Sequence, residues 1–240
     1  MDKIFHPASK RGYADHGWLK SYHSFSFAHW YDPNKIHFGA LRVLNDDYVA
    51  GGGGFGTHPH DNMEIISIPL SGDLKHKDSM GTEAIIRQGD VQIMSAGTGV
   101  SHSEINASRH AAVKFLQIWI FPKDRNIRPR YDQRYFNWEE IDNGMVEIVS
   151  PMGGEGIGIN QDAWLTIGNF ASAQTVDYTK HQPESGIYIF NLEGELSILD
   201  QDLGRRDALG ITSIDTIEIK TKTKSQFLII EVPMKVPGIN

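Results

Sequence analysis

The segment Val113-Lys-Phe-Leu-Gln-Ile-Trp-Ile-Phe121 decides the fold. Read with a period of two, Val113, Phe115, Trp119 and Phe121 share one face with Gln117, while Leu116, Ile118 and Ile120 fill the other. Side chains of a strand alternate between faces, so a strand apolar on both is covered from both sides. A central strand between two layers is expected here. Similar runs rich in β-branched and aromatic residues recur at Gly39–Val43, Glu64–Leu70, Val91–Met94, Val146–Val149, Ile187–Leu192, Ile214–Ile219 and Phe227–Val232. Gly, Pro, Asn and Asp separate them, and helical periodicity is scarce. Many short strands with regular turns indicate an all-β sandwich or barrel.

The chain also repeats itself. Leu70-Ser-Gly72-Asp-Leu74 has a counterpart in Leu192-Glu-Gly194-Glu-Leu196, about half the chain further on. Each copy follows an apolar run and reads as a hairpin turn. A period of half the chain fits two copies of one β-domain. The join falls near Pro129–Asp142, which is rich in Arg, Tyr, Asp and Glu, lacks strand alternation, and has room for a short helix around Trp138–Ile141. The expected domains are residues 1–134 and 135–240.

Composition narrows the function. The chain has 240 residues, 40% of them hydrophobic, enough for a real core. There is no cysteine, which excludes disulfides, thiolate catalysis and thiolate metal sites. The net charge is −7 with no block of Lys or Arg, so direct nucleic-acid binding is not expected. No apolar run reaches membrane-spanning length, and Met1-Asp-Lys-Ile-Phe opens no apolar leader segment; a cytoplasmic protein is expected. All histidines but His181 lie at or before His110. Histidine chemistry therefore belongs to the first half.

The chemistry-bearing segments are Gly51-Gly-Gly-Gly-Phe-Gly-Thr-His58-Pro-His60-Asp-Asn-Met-Glu64 and Gly89-Asp-Val-Gln-Ile-Met-Ser-Ala-Gly97-Thr-Gly99-Val-Ser-His102-Ser-Glu104. Residues two apart on a strand share a face, about 6.6–6.8 Å apart. His58 and His60 have that spacing, and so do His102 and Glu104. If the two pairs lie on adjacent strands facing a barrel interior, four ligands meet. Three neutral imidazoles and a carboxylate suit one borderline divalent metal ion. Fe(II) is the expected ion, since two histidines and a carboxylate are the minimum non-haem iron set; Ni, Mn, Co, Cu or Zn are alternatives. In an octahedral shell about two positions stay open for water, oxygen or substrate. The Gly51–Gly54 run lets backbone pass close by, and Gly97 and Gly99 supply a tight turn before His102. Glu64 competes with Glu104 as the acid; a supporting or structural role is expected for it. His16, His23, Phe25, Phe27, His29 and Trp30 form an aromatic stretch that lines a flat pocket or packs on the barrel, with packing preferred. His6, His37, His76, His110 and His181 lack ligand spacing.

Both segments resemble the two cupin motifs in the form of the pirin family. The first is His58-Pro59-His60-x-x-x-Glu64. The second is Gly89-Asp90-x-Gln92-x-Met94-x-Ala96-Gly97-x-Gly99-x-x-His102-x-Glu104. The resemblance implies a double cupin whose metal ligands are His58, His60, His102 and Glu104, with Glu64 not a ligand. The stretches Arg11–Leu19, His23–Phe27, Tyr31–Pro33 and Ala40–Asp47 are similar to bacterial pirin-like proteins, so the likeness covers about half the chain, to roughly Arg134. Beyond it the chain matches only as a divergent second cupin. The half-chain offset sets Lys180 and Gln182 against His58 and His60, and Lys224 and Gln226 against His102 and Glu104; His181 alone builds no site. A metal-free second domain is expected.

Several bacterial members of the family are described as quercetin 2,3-dioxygenases. The resemblance therefore implies oxygen-dependent cleavage of quercetin or a related small aromatic enol. On chemical grounds Glu104 is the candidate to take the enol proton, provided it can leave or loosen from the ion. Two alternatives stand beside it: a non-enzymatic metal-dependent regulator with a protein partner, and a cupin enzyme with another substrate. The oligomeric state is open, from monomer to small oligomer.

Overall fold

The computed structural model describes residues 3–152 and 154–238, so the outer ends of both expected domains, 1–2 and 239–240, fall outside the described residues. The first half holds β1 (Lys3–His6), β2 (Gly12–Asp15), β3 (Leu19–His23), β4 (Leu41–Val49), β5 (Gly54–His60), β6 (Glu64–Ser71), β7 (Leu74–Asp78), β8 (Glu83–Ile86), β9 (Asp90–Ser95), β10 (Val100–Asn106), β11 (Val113–Ile120) and β12 (Arg130–Tyr135). The second half holds β13 (Gly144–Pro151), β14 (Ile157–Ile159), β15 (Trp164–Phe170), β16 (Gln174–Thr179), β17 (Ser185–Glu193), β18 (Leu196–Ile198), β19 (Gln201–Leu203), β20 (Ala208–Ile211), β21 (Thr216–Thr221) and β22 (Ser225–Pro233). Two single-turn helices, Ala8–Lys10 and Trp138–Glu140, are the helical elements among the described residues. The second lies where a short helix is expected. No helix there is long and apolar enough to cross a membrane.

Four sheets result. One seven-stranded sheet runs β12-β9-β6-β11-β4-β3-β2, and the other β1-β20-β17-β22-β15-β13-β14. The four-stranded sheets run β5-β10-β7-β8 and β16-β21-β18-β19. Each half is thus one seven-stranded sheet facing one four-stranded sheet, with the same order of successive strands: the double-cupin architecture. One element is exchanged. The edge next to β9 is filled by β12, which follows in sequence, whereas the edge next to β20 is filled by β1 from the start of the chain.

The strand β11 lies at the centre of its sheet, as its two apolar faces require. Leu116, Ile118 and Ile120 join Ile66, Ile68, Tyr188, Phe190, Leu228 and Ile230 in the large core where the two seven-stranded sheets pack on each other. The opposite faces line the two barrel interiors, and these differ. The second interior is filled by Ile187, Ile189, Phe227, Ile229, Ile217, Ile219 and their neighbours. The first has two smaller apolar clusters, one around Leu19, Leu74 and Phe115, the other around Ile65, Met94 and Val100. Polar residues occupy the remainder.

Three readings of the sequence are corrected. Gly72 and Gly194 both have positive φ (74° and 83°), but the turns are not hairpins. β6 pairs with β9 and β11, and β7 with β8 and β10, so the first turn carries the chain from one sheet to the facing one, as the second does between β17 and β18. The segment after Pro129 contains β12, paired with β9; a half-exposed edge strand needs no apolar alternation. Finally, the gapless offset misplaces the second-half counterparts. Gln226 lies on β22, while β21 occupies the place of β10 and points Ile217 and Ile219 inward.

Candidate metal centre

β5 and β10 are antiparallel neighbours with His58 opposite His102. A register shift between His102 and Glu104 sets Glu104 opposite Phe55. Two glycines let the strands sit this way. A Cβ on Gly54 would lie 2.5 Å from Ile105 Cα, and Gly97, at φ +48°, would place one 2.1 Å from the Ile127 carbonyl oxygen. Gly97 thereby delivers the turn into β10.

The three imidazoles His58, His60 and His102 converge, with ring centroids 4.5–5.0 Å apart. One ring nitrogen of each lies within 4.8 Å of the others. His58 Nδ1 donates to the Gly56 carbonyl oxygen at 2.7 Å, leaving the Nε2 lone pair free. His60 Nε2 and both nitrogens of His102 are buried without a hydrogen-bond partner. Burial, then the neighbouring His102 and His58, lowers the His60 pKa to about 4. Burial, then His58 and His76, lowers His102 to about 3. Ring nitrogens this close, two of them on imidazoles that burial keeps neutral, are what a divalent ion requires, so the residues fit such an ion.

Glu104, the fourth expected ligand, lines the same cavity as His58 and His60, but its carboxylate is not among the ligand atoms that come within 4.8 Å of one another. Its Oε1 accepts from Ser67 Oγ at 2.6 Å and its Oε2 from Gln117 Nε2 at 2.8 Å, while Ser67 Oγ also lies 2.7 Å from Gln117 Oε1. All three residues are buried. Glu64 is elsewhere. Its carboxylate accepts from Ser95 Oγ and from the Asn160 N–H of the second half, and burial raises its pKa. Residues 64 and 67 have opposite parity on β6, so Glu64 faces the junction between halves and Ser67 faces the barrel interior, where it meets Glu104.

The cavity has a volume of about 420 Å³. Trp18, Phe27, Phe55 and Trp119 give it aromatic walls, and His58, His60 and Glu104 reach it from one side. The indole of Trp119 meets the His60 ring edge-on at 4.9 Å. From the aromatic stretch near the N-terminus, His16, His23 and Phe27 line the cavity, Phe25 enters the core between the halves, and His29 is exposed. The preference for packing therefore holds for Phe25 and fails for these three; the alternating burial of Leu19, Ser21 and His23 on β3 is the signal that separates them. Asn45 and Asp47 also line the cavity, Ser67 supports Glu104 from behind, and Gln117 is the polar residue of an otherwise apolar face. His76 is buried and bonded to Asp78, and His6 to Tyr188. In the second half, His181 lies between Glu231 and Glu147 and stacks on Trp164.

A family model described as Pirin matches residues 5–120, and one described as Quercetinase C-terminal cupin domain matches residues 147–232. The chain is 39% identical over 231 residues to a protein of Escherichia coli (strain K12) named quercetin 2,3-dioxygenase, covering 94% of this chain and 96% of that one. It is 35% identical over 227 residues to a pirin-like protein of Caulobacter vibrioides, covering 94% and 97%. Among solved structures, the bacterial pirin YhhW from Escherichia coli in complex with nickel(II) superposes with a TM-score of 0.91 at 37% identity, over 97% of this chain and 99% of that chain.

Proposed function

The chain belongs to the pirin family, and from that premise we propose that it is a metal-dependent dioxygenase of quercetin or a related flavonol or enol. Its ion is held by His58, His60, His102 and Glu104. The observation that carries the reading is the meeting of three unpartnered imidazole nitrogens at the side of a cavity with aromatic walls. Relatives that bear the quercetin dioxygenase name support the substrate class. The domain reading is a metal-binding first domain (1–134) and a metal-free second domain (135–240), supported by the filled interior of the second barrel.

When bound, the ion supplies a Lewis acid that lowers the pKa of an enol hydroxyl and a redox partner for oxygen. The protein supplies the rest. Trp18, Phe27, Phe55 and Trp119 offer apolar faces to a planar ring system. Glu104 takes the enol proton, and its hydrogen bonds suit that task. The Glu104–Ser67–Gln117 ring has three close contacts, but with an ionised carboxylate Ser67 gives one proton to it and the amide of Gln117 one more. Turning the amide over leaves the same count. Ser67 Oγ, 2.6 Å from Glu104 Oε1, stands where it can accept from a proton carried there. Because a carboxylate has about four lone-pair sites, Ser67 and Gln117 leave others for the ion.

Metal analysis of the purified protein, coupled to oxygen uptake with quercetin, tests the reading. Near-stoichiometric metal and metal-dependent uptake are expected, with both lost in His58→Ala. Bound metal without uptake of oxygen would reject the dioxygenase; no metal after reconstitution would reject the site.

A further inference from the structure

The cavity has a second polar wall, opposite the imidazoles. It lies on the seven-stranded sheet, where His23 on β3 pairs with Asn45 on β4, and Asn45 with Gln117 on β11. Asp47, two residues along β4, shares the same face. All of them line the cavity. His23 and Asn45 are 2% exposed and Asp47 4%. Each nonetheless has a buried polar atom without a partner: His23 Nδ1, Asn45 Oδ1 and Asp47 Oδ1. The Ser21 side chain bonds Asp47, but that leaves Oδ1 unserved.

Buried acceptors without donors are rare in folded proteins, and a cluster on adjacent strands marks a place where something else supplies the donors. Three facts define what that is. Asn45 Oδ1 only accepts, and Asp47 Oδ1 accepts whenever its carboxyl is ionised, so the visitor must bring O–H or N–H groups. The imidazole of His23 is held neutral by its burial, so its Nδ1 either donates to or accepts from an uncharged group. The approach is walled by aromatic rings, so the donors arrive on a flat apolar body.

We propose that His23, Asn45 and Asp47 form a second subsite that binds phenolic hydroxyls on the part of the substrate away from its enol, selecting polyhydroxylated aromatic enols over bare ones. The proposal rests on the reading of the cavity as an enol site and adds the feature by which substrates are told apart. A site that hydrogen-bonds a substrate hydroxyl discriminates strongly against the analogue lacking it, because the protein groups are then left unpaired.

Calorimetry on the metal-loaded protein under argon tests it, since nothing turns over without oxygen. The two ligands are quercetin, with phenolic hydroxyls on both outer rings, and 3-hydroxyflavone, which keeps the enol alone. Quercetin is expected to bind at least about tenfold more tightly to the wild type, and that ratio is expected to fall below about threefold in Asn45→Leu. Asp47→Asn keeps shape and gives a second reading should Asn45→Leu fail to fold; the ratio is expected to fall there too. Equal affinities in the wild type, or a ratio that survives substitution, would overturn the subsite while leaving the enol site standing. Binding of neither ligand would overturn both.

Discussion

Glu104 carries two duties in the proposed chemistry, ligand and proton acceptor, and a single substitution separates them. Glu104→Gln keeps the shape of the side chain and removes its ability to take a proton. Turnover is expected to fall by about 10²–10⁴-fold, the usual worth of a positioned base, with a much smaller loss of metal by elemental analysis. Equal losses would remove the proton-acceptor role. Gly97 makes a different demand. At φ +48°, with the Ile127 carbonyl oxygen 2.1 Å from any Cβ, Gly97→Ala is expected to destabilise the fold by at least about 1–3 kcal/mol, read as a lower urea midpoint. At this scale the ligand spacing is plain in the sequence, because two residues apart on a strand has one geometric meaning. Asn45 and Asp47 are not. Asn45-Asp46-Asp47 looks like turn chemistry, yet it runs through the middle of β4, where pairing with both β3 and β11 overrides the local preference.

Between elements, β10 and β21 make the decisive contrast. They occupy the same place in the two four-stranded sheets, but β10 points His102 and Glu104 into its barrel and β21 points Ile217 and Ile219. The same backbone thus makes a polar site in one half and a filled core in the other. Ile219→Ala is expected to cost about 2–5 kcal/mol in urea unfolding, as a buried aliphatic truncation does, with metal stoichiometry unchanged. Loss of metal in that variant would contradict the independence of the second interior. Strand existence was legible in the long apolar runs covered on both sides, β11, β17 and β22, but not in β15 or the short β20, which are buried on both faces as well. Edge strands such as β12 were not, since pairing through the backbone leaves no mark on side-chain pattern.

Across the whole molecule, burial sets the pH response of the metal-free protein. His6, His23 and His60 are lowered to about 4 and His102 to about 3, against an ordinary 6.5, in each case chiefly by burial. Between about 6.5 and 4 the unfolded chain binds protons that the folded one refuses, so stability falls as pH falls through this window. Asp47, raised to about 7 by burial, and Glu64, also raised, act in the opposite sense. Two carboxyl groups stand against four imidazoles, and the imidazoles win. Urea midpoints of stripped protein are expected to drop from pH 7 to pH 5, and to drop less in His6→Gln. The repeat of two β-domains was visible in the sequence from one five-residue match. The exchange of β1 into the second sheet was not, because Lys3–His6 finds its partner Ala208–Ile211 only in three dimensions. The most direct test of the metal-dependent site is a titration. Stripped protein receives Fe(II) in steps under argon, and each sample is then given quercetin and oxygen while oxygen consumption is recorded. A rate that rises linearly and breaks at one ion per chain, with no rise in His102→Ala, is the expected result. A fully loaded protein that consumes no oxygen, or a His102→Ala protein that consumes it equally fast, would contradict it.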